Sequence, residues 1–365
     1  MREYLLVLLV AAVFTYAATT LVRYLAFAIG AVTPVRARDV HSVPIPRLGG
    51  VAMFCGFCAA VALGTQLPYL SGLFGSQELL GVLLGAGIIT LLGAIDDVRD
   101  LDWLTKLAGQ VLAGGVMAFF GVQLLWIPVF GVTVLPQPVL VTLTILIVVI
   151  STNAVNFVDG LDGLAAGVVF ISAGAFFAWS YLVSHDFDPP NVFTTATFIT
   201  AALMGCCLGF LPHNFHPARL FMGDAGALLL GLLLSAATIS MTGRLDPNSS
   251  VAATSATTAI LLPLFLPIAI MALPILDMLL AVVRRTRRGD LPWKPDAHHL
   301  HHQLLRIGHG HRRAVALMYL WSALLAVGAV SFAFFPPLAT AVVLVLLLVV
   351  AAVLTWPRRR TPSRA

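Results

Sequence analysis

The sequence predicts an all-α, polytopic membrane protein of about eleven transmembrane helices. Composition is the first reason: of 365 residues, 59% are hydrophobic and only 10% are charged, against about 25% charged in a soluble domain. The apolar residues also fall into runs close to the ~20 residues that cross a bilayer as a helix. Finally, the basic residues lie almost entirely on alternate sides of those runs, as topology signals do.

Read against their polar breaks, the runs place helices near residues 4–30, 48–66, 78–95, 104–125, 137–155, 164–184, 191–211, 225–243, 255–283, 314–335 and 337–356. The first has Glu3 beside Arg2 and no small-residue cleavage site, so it is read as a retained helix and not a signal peptide. The ninth is too long for a simple span. Pro263, Pro267 and Pro274 interrupt it, which predicts a broken helix with Asp277 on its second half. Cys55, Cys58, Cys206 and Cys207 lie in apolar runs and are read as small core residues. Residues 1–356 form one integral-membrane domain, and 357–365 form a basic tail.

With the N-terminus outside, 18 of the 21 Lys and Arg fall on the cytoplasmic side, so the C-terminus is cytoplasmic. Nine of the ten histidines and most carboxylates share that face, leaving short, bland outer loops. The net charge of +5 suits topology control and attraction to anionic headgroups. No aromatic-and-basic module accompanies it, which argues against nucleic acid as a partner. The absence of an internal repeat argues against a transporter built from inverted halves.

Five polar clusters alternate with the helices on the cytoplasmic side. One holds Arg47, Gly49 and Gly50. Another is Asp96-Asp97-Val-Arg-Asp100, followed by Asp102 and by Lys106 and Gln110 one helical turn apart. The third is Asn153-Ala-Val-Asn156-Phe-Val-Asp159-Gly-Leu-Asp162-Gly163. The fourth runs from His213-Asn214 through His216 and Arg219 to Phe221-Met-Gly223-Asp224. The fifth is Asp296-Ala-His298-His299-Leu-His301-His302. Singly, each has a plain structural reading: a solvated helix end, a snorkelling lysine, interhelical amide bonds, or an N-cap at Asp224. His298 and His302 have the i,i+4 spacing of two metal ligands, with no third ligand evident, and the histidines also suit phosphate oxygens. Independent caps would not gather in five successive loops of one face. Hard carboxylate oxygens suit Mg²⁺ on a diphosphate, Lys, Arg and His supply the positive field, and Phe221 offers a stacking plane for a base. These residue types point to Mg²⁺-dependent phosphoryl transfer at the membrane surface.

In that order, the motifs Asp96-Asp97-x-x-Asp100, Asn153-x-x-Asn156-x-x-Asp159-Gly-Leu-Asp162-Gly, Phe221-Met-Gly-Asp224 and His299-x-His301-His302 resemble the polyprenyl-phosphate N-acetylhexosamine-1-phosphate transferases. The stretch Asp296 to His302 followed by Gly308 is similar to the WecA-type branch, which uses UDP-N-acetylglucosamine or a close relative. The MraY branch, acting on UDP-N-acetylmuramoyl-pentapeptide, reads Pro-x-His-His-His there and Pro-Thr-Met-Gly-Gly where this chain has Pro44-Ile-Pro46-Arg47-Leu-Gly49-Gly50. The resemblance implies transfer of N-acetylglucosamine 1-phosphate to undecaprenyl or decaprenyl phosphate, with release of UMP. It implies a homodimer in the bacterial plasma membrane, a cytoplasmic active site that initiates cell-envelope glycan synthesis, and Mg²⁺, with Mn²⁺ as a substitute. By that resemblance Asp224 ligates the metal with help from Asp97, Asp96 engages the lipid phosphate, and Lys106 lies in the catalytic cleft. Asn156, Asp159, Asn214 and Phe221 line the uridine and diphosphate pocket, Asp162 supports its loop, Asn153 joins the substrate-binding set, and His299, His301, His302 and Arg47 bind phosphate or sugar. The competing readings are the MraY-type reaction, a membrane prenyltransferase and a nucleotide-sugar transporter.

Overall fold

The computed structural model describes residues 1–33, 44–127, 133–185, 192–242, 271–287, 289 and 300–356. Within them the chain forms helices α1 (Arg2–Ala28), α2 (Gly49–Gln66), α3 (Glu78–Arg99), α4 (Trp103–Phe119), α5 (Gln137–Val158), α6 (Leu164–His185), α7 (Thr195–Asn214) and α8 (Gly223–Thr242). After these come α9 (Ala272–Arg287), α10 (Leu300–Arg306), α11 (His311–Phe334) and α12 (Pro337–Thr355). Between α1 and α2, strands β1 (Val32–Thr33) and β2 (Ile45–Pro46) pair antiparallel, Val32 opposite Pro46.

Among the described residues, nine helices are long and apolar enough to cross a membrane: α1, α2, α3, α5, α6, α7, α8, α11 and α12. Of the two other expected spans, α4 has 17 residues and α9 has 16. The fourth helix ends well before residue 125, the expected limit. Gly121 takes a positive φ of 97° just beyond it, and the Leu124 N–H turns away to the Thr144 hydroxyl. The expected break in helix nine lies outside the described residues. Its described part, α9, buries Leu273, Pro274, Asp277, Ala281 and Arg285 on one face.

Helix α8 is the axis of the bundle. All of its spanning window is buried, and it packs against α2, α3, α5 and α7. Between helices in lipid, association relies on close van der Waals contact, which small residues permit. Gly50 on α2 and Gly93 on α3 both lie directly against the backbone of Asp224–Gly226, where a Cβ would collide. These two contacts hold the start of α8 tightly between α2 and α3. At the periphery, α12 is the least buried span and exposes Val342, Val345, Leu346, Val349 and Val353, the pattern of a lipid-facing surface. Cys55 also faces outward, correcting its placement in the core. Cys206 and Cys207 are buried, and Cys58 is half-buried.

Gly93→Ala places its methyl on the rigid α8 backbone. It should cost about 1–3 kcal/mol, seen as a lower Tm in detergent. Gly87→Ala meets only the tip of the Phe54 ring at ordinary contact distance and should leave Tm unchanged. Equal Tm values for the two variants would contradict this packing.

Candidate active site

The C-terminal ends of α3 and α5 and the N-terminal ends of α4 and α8 meet at one end of the bundle. There Lys106 Nζ lies 2.6 Å from Asp96 Oδ2 and 2.9 Å from Asp224 Oδ2. On the other side of the Asp224 carboxylate, Asn156 donates its amide to Oδ1 at 2.9 Å. Residues from three other helices thus gather around Asp224, and Asp96, Lys106 and Asp224 itself were expected catalytic residues.

Local sequence explains each placement. Helix α3 stops at Asp100, whose left-handed backbone (φ 46°) reverses the chain, and the Leu101 N–H returns to Asp96 Oδ1 at 2.7 Å. Asp102 then caps α4 by accepting from the backbone of Leu104 and Thr105 and from the Thr105 hydroxyl. Lys106, in the first turn of α4, faces back toward Asp96. One turn further, the buried Gln110 accepts the Asn153 amide at 2.7 Å and ties α4 to α5. Asn153 also donates to the Val149 carbonyl, so its role here is interhelical.

Asp97 occupies a different position from the one expected of a metal ligand. Its two oxygens accept the backbone N–H groups of Asp224 at 2.9 Å and Ala225 at 3.3 Å. A carboxylate there satisfies the orphan donors of α8 and complements its dipole. Gly223 makes room for it: its φ is 68°, and a Cβ would strike the Asp97 carboxylate. Asp224 lies in the first turn of α8 and is itself capped from α3.

Asp159 is at the end of α5. Burial above all, then the charge of Asp224, pushes its carboxyl up to about 7, while the Arg47 guanidinium opposes the rise. Arg47 therefore belongs to the electrostatics of this cluster. Asn214 is buried and fully engaged with backbone, accepting from the Gly163 N–H and donating to the Leu220 carbonyl, each at 3.0 Å. It braces the loops on either side of the site. Phe221 is half-buried, and its backbone bonds to Pro46 and Gly49 join its loop to β2 and α2.

Asp162 stands apart from the Lys106 cluster. Its Oδ2 accepts from the Ala218 N–H and lies 2.8 Å from His216 Nδ1. His299 lies outside the described residues, as do the side chains of His301 and His302, whose backbones are in α10. Asp277 is fully buried and accepts the Leu300 N–H at 2.9 Å, holding the start of that helix. The sequence reading missed His311, packed on His216, and Tyr319, whose hydroxyl donates to the Gly163 carbonyl. Its one signal for His311 was a further histidine among the basic residues that open an apolar helix.

The donor set around Asp224 is all oxygen. Asp96, Asp159 and Asp224 offer carboxylates with lone pairs beyond those already used, beside a lysine and an arginine. This chemistry fits a hard, oxygen-preferring divalent cation on an anionic ligand.

Residues 79–242 match the family model of glycosyl transferase family 4. The decaprenyl-phosphate N-acetylglucosaminephosphotransferase of Mycolicibacterium smegmatis is 48% identical over 97% of this chain and 88% of its own. The chain belongs to glycosyl transferase family 4. Within that family its relatives place it in the WecA-type branch. A probable undecaprenyl-phosphate N-acetylglucosaminyl 1-phosphate transferase of Bacillus subtilis is 33% identical over 86% of this chain and 80% of its own. The undecaprenyl-phosphate α-N-acetylglucosaminyl 1-phosphate transferase of Escherichia coli is 30% identical over 83% and 77%. The family match contains the whole Asp96–Lys106–Asn156–Asp224 network, and His311 lies beyond it.

The raised pKa of Asp159 has a measurable consequence. An unfolded chain releases this proton near pH 4, the folded protein only at about 7. Between those values the folded state binds more protons, so stability falls as pH rises through the window. Asp159→Asn, always neutral, removes that slope. Its Tm advantage over the parent, without nucleotide or divalent metal, should grow between about pH 5 and pH 8. A pH-independent difference would contradict the assignment.

Proposed function

We propose that this family 4 transferase moves N-acetylglucosamine 1-phosphate from UDP-N-acetylglucosamine to a polyprenyl phosphate, releasing UMP. The observation that carries the reading is the convergence of Asp96, Lys106, Asn156 and Asp224 at one end of a membrane bundle. Its relatives' names supply the sugar and the lipid, with decaprenyl phosphate named for the mycobacterial one and undecaprenyl phosphate for the others. The basic-residue bias supports a cytoplasmic location for that end, in a plasma membrane.

In this reading an oxygen of the lipid phosphate attacks the β-phosphorus of the nucleotide sugar. A P–O bond forms there, the bond from the β-phosphorus to the bridging oxygen breaks, and UMP leaves with the electron pair. A phosphate monoester has its second pKa near 6, so the attacking oxygen is largely ionised at neutral pH and needs no strong base. The work of the protein is positioning and electrostatic stabilisation. Lys106 presents its ammonium to the phosphates and holds Asp96 and Asp224 in register. Asn156 fixes the orientation of the Asp224 carboxylate, and Arg47 adds positive field near Asp159. A bound Mg²⁺, held by Asp224 and served by its carboxylate neighbours, would neutralise charge on the diphosphate. Asp97 serves it indirectly, by fixing the α8 terminus that carries Asp224. Direct displacement is favoured because the ionised lipid phosphate is itself a competent nucleophile, with no covalent carboxylate intermediate required.

Purified protein with UDP-N-acetylglucosamine, polyprenyl phosphate and Mg²⁺ should release UMP in step with lipid-linked sugar. Asp224→Asn should lower turnover by roughly 10²–10³-fold, the scale of losing one preorganised electrostatic contact. Absence of UMP release would refute the reaction, and undiminished release by Asp224→Asn would refute the role of that carboxylate.

A further inference from the structure

Asp162, His216 and His311 come from three separate parts of the chain: the loop between α5 and α6, the loop between α7 and α8, and the first turn of α11. One ligand atom from each lies within 4.8 Å of the other two. His216 Nδ1 is 2.8 Å from Asp162 Oδ2, and His311 Nε2 is 4.0 Å from the same oxygen. The two imidazoles stack with centroids 4.2 Å apart and planes inclined by 24°. From this arrangement we propose a second metal site, in which Asp162, His216 and His311 bind a divalent transition metal of the zinc type.

The strongest support is His311. Its side chain is only 9% exposed, and neither ring nitrogen has a partner within hydrogen-bond distance, the nearest acceptors being the carboxylate and backbone of Asp162. Two unsatisfied polar atoms at such depth carry a desolvation penalty that a ligand would relieve. The neighbour able to relieve it is the Asp162–His216 pair, toward which Nε2 is directed.

Geometry and donor type agree. Tetrahedral zinc with bonds of about 2.0–2.1 Å sets neighbouring ligand atoms about 3.3 Å apart. The separations from Asp162, 2.8 and 4.0 Å, lie on either side of that value. To hold an ion the stacked rings must turn about their Cβ–Cγ bonds until both lone pairs meet it, which replaces the His216–Asp162 hydrogen bond. Two imidazoles and one carboxylate suit a borderline cation, whereas the all-oxygen cluster around Asp224 suits a hard one. The Asp162 carboxylate oxygen, facing one nitrogen of each ring, disfavours an anion. His216, with 36% of its side chain exposed, leaves an entry path and a fourth position for water.

The site also has outer supports. The Ala218 N–H donates to Asp162, and Tyr319 and Asn214 hold the adjacent Gly163 through its carbonyl and N–H. Such partners orient ligands and raise metal affinity. An ion here would lock the Asp159–Gly163 turn to α11, beyond the reach of the covalent chain. The inference rests on this geometry and not on the proposed reaction.

The test is Co²⁺ titration of the purified full-length protein in detergent, followed by visible absorption. One equivalent should bind with the intense bands of a four-coordinate ion, be displaced by Zn²⁺ and resist excess Mg²⁺. His311→Gln and His216→Gln should each weaken binding by at least about tenfold. His216 is the more exposed ligand, so its variant should elute and melt as the parent does, keeping loss of binding distinct from loss of fold. The site is overturned by an absence of stoichiometric binding or by unchanged affinity in both variants. Weak bands that Mg²⁺ abolishes would also overturn it, by placing the ion on oxygen ligands.

Discussion

Lys106 Nζ stands between two carboxylates, 2.6 Å from Asp96 and 2.9 Å from Asp224, at the end of a bundle of apolar helices. Ionised groups taken from water are expensive unless paired and hydrogen-bonded. Here the ammonium offsets two negative charges, the Asn156 amide satisfies a further oxygen, and the Leu101 N–H satisfies another. Remove the lysine and both carboxylates face each other with nothing between them. The positions of α3, α4, α5 and α8 at this end all answer to that constraint.

Precision at the ammonium depends on apolar packing further along. Asp224 is carried on the most buried helix, and α2 and α3 can approach it closely because Gly50 and Gly93 have no side chain. The same approach brings Asp97 onto the helix terminus, where its carboxylate caps two backbone donors. Adjacent residues on α3 therefore do separate work: Asp96 addresses the lysine, and Asp97 secures the helix that bears Asp224. Since neighbouring helical side chains point in different directions, this division follows from helix geometry.

Much of this was legible in the sequence. Run lengths and charge asymmetry predict the helices, and the ordered polar motifs predict which helix ends share a site. Spacing could place Asp96, Lys106, Asn156 and Asp224 at one end, but it could not say which oxygen meets which donor. That depends on contacts between distant parts of the chain, 118 positions apart for Lys106 and Asp224 and 68 for Asn156 and Asp224. Asp97 is the clearest case: the family resemblance implies a helper of the metal, and only the docking of α3 on α8 reveals that its carboxylate also caps a helix. Cys55 shows the same limit, because an apolar helix gives little sign of which face meets lipid. His311 was passed over for a related reason, since its partners Asp162 and His216 lie on distant loops.

The central claim is that Lys106 and Asp224 act as one unit, and a double-mutant cycle on turnover tests it most directly. UMP release would be compared for Lys106→Met, Asp224→Asn and the double variant at saturating substrates. Groups that act together lose their effect together. The account predicts that the double variant is no slower than the slower single variant. Losses that multiply, each substitution costing as much in the presence of the other, would show two independent contributions and contradict it.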